Sequence, residues 1–134
     1  MGTLRTRPST PHPDRLLALH EGVAGLLAAH APAEAAVEAW FVHPVSRSAM
    51  ALAEARGAIL VALAHAGVAV AEYAPNEVKQ AVTGHGGADK EQVRAMVGRL
   101  AACDPESHHA ADALAVAICH LHSRPLARAI RGAG

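Results

Sequence analysis

Glu38 interrupts an apolar run, AAVEAWF. A carboxylate there is costly unless it reaches solvent, pairs with a cation or binds a metal. Asp112 stands three residues after His109 in HHAADALAVAICHLH. That spacing puts both side chains on one helix face. Carboxylate oxygen and imidazole nitrogen both ligate divalent metals, so Glu38, His109 and Asp112 are candidate ligands. Plainer readings stand beside this one. Glu38 could face solvent at a strand end or meet an arginine. His109 could be a capping or surface histidine, and Asp112 a first-turn acid favoured by the helix dipole.

A second constellation is cationic. The chain has two lysines, Lys79 and Lys90, and both fall in EYAPNEVKQAVTGHGGADKEQV, on either side of a Gly-rich turn. Ammonium groups on long stems suit phosphate as mobile point charges. The plainer reading is a solvated face. GHGG is not a phosphate-binding P-loop, because no Lys-Ser/Thr pair follows it. His85 in that turn is read as turn filler. His120 and His122, two apart, cannot share a helix face, and His12, His20, His30, His43 and His65 have no partner pattern.

The elements that must position these groups alternate. Gly2 to Arg7 reads as a short strand fragment, and the three prolines from Pro8 to Pro13 as a loop. Asp14 is the expected N-cap of a helix carrying Leu16, Leu19, Val23, Leu26 and Leu27 at helical spacing, ended by Pro32. Ala35 to Trp40 and Val68 to Tyr73 read as buried strands. Between them Ser46 to Ala66 reads as a helix closed by Gly67. Pro75 opens a short helix, Asn76 to Val82. Asp89 and Gln92 form a capping-box start for the next, with Val93, Met96, Val97 and Leu100 as its apolar stripe. Ser107 caps the last helix, whose inner face is read as Leu114, Ala117, Ile118 and Leu121, with Pro125 as its break. Strands alternating with helices imply an α/β layer fold with parallel pairing of the two apolar strands.

Composition sets the remaining bounds. The 134 residues suffice for one core, and it must be built largely from Leu, Val and Ala, because Trp40, Phe41 and Tyr73 are the only aromatics. Basic and acidic residues balance at 12 each, so net charge does not announce a nucleic-acid partner. Cys103 and Cys119 read as reduced thiols rather than a disulfide or zinc framework. No stretch of about 18 apolar residues lacks a charge, and no signal-peptide pattern is present. The expectation is a cytoplasmic protein with no membrane role.

In order and spacing, VEAWF, YAPNEVKQAVTGHGGADKEQV and HHAADALAVAICH resemble the bacterial RuvC family of Holliday-junction resolvases, from about Gly2 to His122. The resemblance implies an α/β, ribonuclease-H-like mixed sheet flanked by helices. It implies a homodimer that nicks opposed strands of a four-way DNA junction, in recombination and repair, alongside the branch-migration helicase complex of that pathway. It implies Mg2+ as cofactor, with Mn2+ an alternative, at two ions per active site. Glu38, His109 and Asp112 fall on the family's metal-binding catalytic positions, with His109 where many members carry Asp. Phe41 matches an aromatic that stacks on DNA, and Lys79 and Lys90 match lysines that face the junction backbone. The domain is expected to occupy 1–124, with 125–134 a flexible tail.

The sequence departs from the family in one respect: the G-x-D-P-G strand, whose Asp is the central metal ligand, has no match. Met1 to Thr6 resembles the family's third strand, so the expected fold lacks the first two strands, through a misassigned start codon or a degenerate gene. Cleavage by the 134-residue chain is expected to fall by orders of magnitude. The alternative function is a catalytically inactive, truncated remnant that still binds junctions; a plain structural α/β domain is a third reading.

Overall fold

The computed structural model describes residues 2–39 and 46–132, with side chains of the last helix described as far as Arg124. Trp40 and Phe41, the latter expected to stack on DNA, lie outside the described residues. The order is α1 (His12–His30), β1 (Glu34–Glu38), α2 (Arg47–His65), β2 (Ala69–Tyr73), α3 (Pro75–Thr83), α4 (Lys90–Ala101) and α5 (His108–Gly132). β1 and β2 pair in a small parallel sheet, as the sequence pattern implied, with α2 as the crossover. Past the end of β1, the Ala39 N–H still donates to the Tyr73 carbonyl at 2.7 Å.

Local chemistry sets most boundaries. Ser46 Oγ accepts from the Ala49 N–H at 3.1 Å and opens α2. Gly67, at φ 68°, closes it in a Schellman turn: its N–H donates to the Ala64 carbonyl and that of Val68 to the Leu63 carbonyl. The capping box of α4 is complete, with Gln92 N–H to Asp89 Oδ1 at 2.8 Å and Asp89 N–H to Gln92 Oε1 at 3.0 Å. Ser107 Oγ accepts from the Ala110 N–H at 3.2 Å at the head of α5.

The two compact units are best taken separately. One holds the C-terminal halves of the strands with α3, α4 and α5. Val78 and Val82 of α3, Val93 and Val97 of α4, and Ala115, Val116 and Cys119 of α5 form its core together with Ala88. Tyr73 at the end of β2 joins this core; its hydroxyl lies 2.8 Å from His120 Nδ1 and its ring meets that imidazole edge-on. The other unit holds α1, α2 and the segments entering the strands. His12 of α1 bonds Glu54 of α2 there, and Ala62 and Leu63 are its buried residues.

Five expectations need correction. Val68 to Tyr73 is not a buried strand: β2 leaves Ala69, Val70 and Glu72 exposed and Ala71 and Tyr73 half-buried, because a sheet of two strands among the described residues leaves its edges open. Gly2 to Arg7 is not a strand. Leu4 lies instead over Gly22 of α1, and Arg15 Nε donates to Thr6 Oγ1 at 3.2 Å. A strand needs a paired neighbour, and among the described residues the sheet contains β1 and β2 alone. Asp14 is not the N-cap of α1. The helix starts at His12, because Pro13 in the first turn needs no N–H partner, and Asp14 lies inside that turn. α5 buries Ala111, Ala115, Val116 and Cys119, with Leu114 and Ile118 at the margin and Leu121 60% exposed. Small side chains let the helix approach its neighbours closely, and the larger ones are turned to the flanks. Finally, α5 continues through position 125 to Gly132. A proline removes one backbone bond from a helix but leaves the chain free to resume it.

α2 is long and apolar enough to cross a bilayer by length and composition alone, yet Glu54 and Arg56 lie near its middle. Met50, Leu52 and Val61 leave it with exposed apolar side chains.

Candidate active site

β1 ends at Glu38, and β2 runs into Pro75 and α3. The first pocket of interest opens where these strands end, which is where ligands enter parallel α/β sheets. It has a volume of about 290 Å³ and is lined by Glu38, Lys79, Lys90 and Asp112 over an apolar floor that includes Val78, Val93, Ala115 and Val116. Four side chains singled out from the sequence, from one strand and three helices, therefore face one cavity. His109 is exposed in the first turn of α5 and does not line it.

Each side chain is delivered by a definite local device. α3 is anchored by Glu77, whose Oε2 accepts from the Ala74 N–H at 2.7 Å, and Lys79 follows two residues later. The Thr83 hydroxyl lies 2.8 Å from the Lys79 carbonyl and 2.9 Å from that of His85; its one proton serves either, tying the lysine's backbone to the turn. Gly84, at φ 85°, lets the chain leave the helix there. Lys90 is the first residue of α4, held by the Asp89–Gln92 box. A cation at that end opposes the helix dipole, so the position is not chosen for helix stability. Asp112 is the fifth residue of α5, beyond the first turn. The helix dipole therefore accounts for it less well than the pocket does.

The electrostatics are uneven. The carboxyl of Glu38 is raised above its ordinary value, first by desolvation and then by the charge of Asp112, with Lys79 pulling it down. Among the described residues, no salt bridge joins any of the four charged side chains. Two carboxylates near enough to repel, with no ion pair, fit a hard divalent cation, which takes one or two carboxylates and completes its shell with water and phosphate oxygens. No cluster of three His, Cys, Asp or Glu suited to a metal occurs among the described residues.

The family model that matches residues 1–120 is "Crossover junction endodeoxyribonuclease RuvC". The chain belongs to the RuvC family. A RuvC of Rhodopseudomonas palustris (strain TIE-1) is 47% identical over 134 residues, covering 99% of this chain and 77% of that protein. One from Azorhizobium caulinodans is 48% identical over 124 residues, covering 92% and 73%. Among solved structures, Thermus thermophilus RuvC superposes with a TM-score of 0.82 at 38% identity, covering 92% of this chain and 75% of that one. Thermus thermophilus RuvC in complex with a Holliday-junction substrate gives a TM-score of 0.82 at 39% identity, covering 88% and 73%. The ribonuclease-H-like fold expected from the resemblance is thus the fold found. This chain is a nuclease by family, and it spans about three quarters of the length of these relatives.

The sequence did not single out Glu77 and Thr83, which position Lys79. The A-P-x-E pattern, with Pro at the first helical position and an acid two residues on, was the available signal.

Proposed function

We propose that this chain is a divalent-metal-dependent endonuclease that resolves four-way DNA junctions by paired nicking. One observation carries the reading: two carboxylates and two lysines converge on a single cavity at the strand ends, unpaired with one another. The solved relative that carries a Holliday-junction substrate supports that choice of DNA. Glu38 and Asp112 hold the cation, and the lysines receive the phosphates on either side. His109, three residues before Asp112 on α5 and outside the pocket lining, would supply a further ligand or move a proton only once substrate is bound. Mg2+ or Mn2+ suits the oxygen donors, and two ions would stabilise both the attacking and the leaving oxygen of an in-line displacement. Phe41 stacks on a base beside the cut.

Homodimer formation would cover the exposed Met50, Leu52 and Val61 of α2. The protein would work in the cytoplasm, beside the branch-migration helicase complex. The binding-only alternative is disfavoured by the presence of both Glu38 and Asp112 in the cavity, because lysines alone suffice for junction binding.

The test is nicking of a synthetic four-way junction against linear duplex, with Mg2+, Mn2+ or chelator. Junction-selective, metal-dependent nicking should disappear in Glu38→Gln and Asp112→Asn. Tight junction binding with no metal-dependent nicking would establish the alternative.

A further inference from the structure

Tyr73 and His120 do not line the cavity, yet Tyr73 reaches both pieces of chain that supply its carboxylates. Tyr73 ends β2, and its carbonyl accepts from the Ala39 N–H at 2.7 Å, one residue past Glu38. Its hydroxyl lies 2.8 Å from His120 Nδ1, about two turns along α5 from Asp112. The two rings meet edge-on, with centroids 5.7 Å apart and planes at 62°. All of these groups belong to one compact unit. A single residue therefore holds the strand end of Glu38 through its backbone and the helix of Asp112 through its side chain.

We propose that Tyr73 and His120 are positioning residues whose bond sets the spacing of the Glu38 and Asp112 carboxylates, and with it the pocket's selectivity for a small dication. The inference rests on the metal-site reading above. The packing of the two rings does not fix this spacing by itself. Apolar contact is non-directional, whereas a hydrogen bond weakens steeply once its length or angle departs from the optimum. α5 is a continuous helix, so a shift at His120 is carried to Asp112. Such a shift matters unequally to different ions. Mg2+ demands near-octahedral oxygen ligands at about 2.0–2.1 Å, whereas Ca2+ accepts a looser shell at about 2.3–2.6 Å. The packing of α3 on α5 does not depend on the hydroxyl, because Val78, Val82, Ala115 and Val116 share one core and the Cys119 thiol meets the Glu77 carbonyl.

Mg2+ and Ca2+ affinities test this without relying on turnover, measured by displacement of Mn2+ and followed through the free-ion paramagnetic resonance signal. Tyr73→Phe should weaken Mg2+ about 10-fold or more and Ca2+ about 3-fold or less, with junction affinity in chelator unchanged. His120→Phe should match it, and the double variant should lose no more than either single one, because all three remove the same bond. His120→Asn keeps a polar atom near the place of Nδ1 and should recover most of the Mg2+ affinity; against His120→Phe it carries the same comparison should Tyr73→Phe fail to fold. Equal losses for Mg2+ and Ca2+, or losses that add in the double variant, overturn the inference, since the pair would then hold the fold and not the spacing. Unchanged Mg2+ affinity in Tyr73→Phe, with binding still lost in Glu38→Gln, overturns it and leaves the metal site standing. Mg2+ binding indifferent to both Glu38→Gln and Asp112→Asn overturns the inference and the metal-site reading together.

Discussion

Replacing Lys90 with alanine separates a DNA-binding role from a structural one, because the two readings predict opposite signs. Lys90 is the exposed first residue of α4, and the positive end of the helix dipole lies beneath it. Removing its charge should leave stability unchanged or raise it by about 0.3–0.5 kcal/mol. Junction binding should move the other way. A lysine that neutralises one phosphate contributes about 0.9 to the slope of log affinity against log salt. Between 50 and 200 mM salt that is a factor of about 3.5 for one contact, and about 12 for two. Fluorescence anisotropy of a labelled four-way junction across that range gives the slope directly.

For Lys90→Ala the salt slope should therefore flatten by about one, and for the Lys79→Ala/Lys90→Ala pair by about two. Weakening of affinity that is the same at every salt concentration would refute phosphate contact. So would a loss of more than about 1 kcal/mol in stability from Lys90→Ala, since nothing in its capping environment requires the ammonium.

Three further outcomes follow from the structure. Glu38 has a raised carboxyl, so the native state holds that proton more tightly than the unfolded chain. Stability therefore falls as pH rises from the ordinary value of 4.5 through the raised one, and Glu38→Gln should outlast the parent in thermal melts above that window and match it below; a parent that gains on the variant as pH rises would reverse the sign. Ala102 caps α4 at φ 50°, a left-handed conformation strained for a side chain, so Ala102→Gly should stabilise by about 0.5–1 kcal/mol in denaturant titrations; a loss of stability would mean that its methyl is packed. Cys103 is exposed, whereas Cys119 is 1% exposed, its thiol donates weakly to the Glu77 carbonyl at 3.8 Å, and burial pushes its pKa up. A thiol reagent should therefore label Cys103 at once and Cys119 only on unfolding, and two equal fast phases would contradict the core assignment.

Much of what could be read from the sequence depends on neighbours along the chain, although the local readings of Asp14 as a cap and Pro125 as a break failed. The Asp89–Gln92 box, the Ser46 and Ser107 caps and the Gly67 turn are local bargains between a side chain and the nearest backbone groups, and each formed where its residues lay. The packing face of α5 was not local. Its apolar residues run almost all round the helix, so periodicity favoured the bulky Leu114 and Ile118, while close approach to α3 and α4 selected Ala111, Ala115 and Cys119. Gly2 to Arg7 had a strand's alternation, but a strand is a property of two segments, and alternation in one cannot supply the other. The site lies between these cases. Glu38, Asp112, Lys79 and Lys90 each had a plain reading as a strand-end acid, a helix acid or surface lysines. Their meeting at one cavity, with Glu38, Lys90 and Asp112 exposed and no salt bridge among the four described side chains, is what each plain reading taken singly does not supply. Both signs of charge in one cavity are what the proposed metal and phosphodiester would require of it.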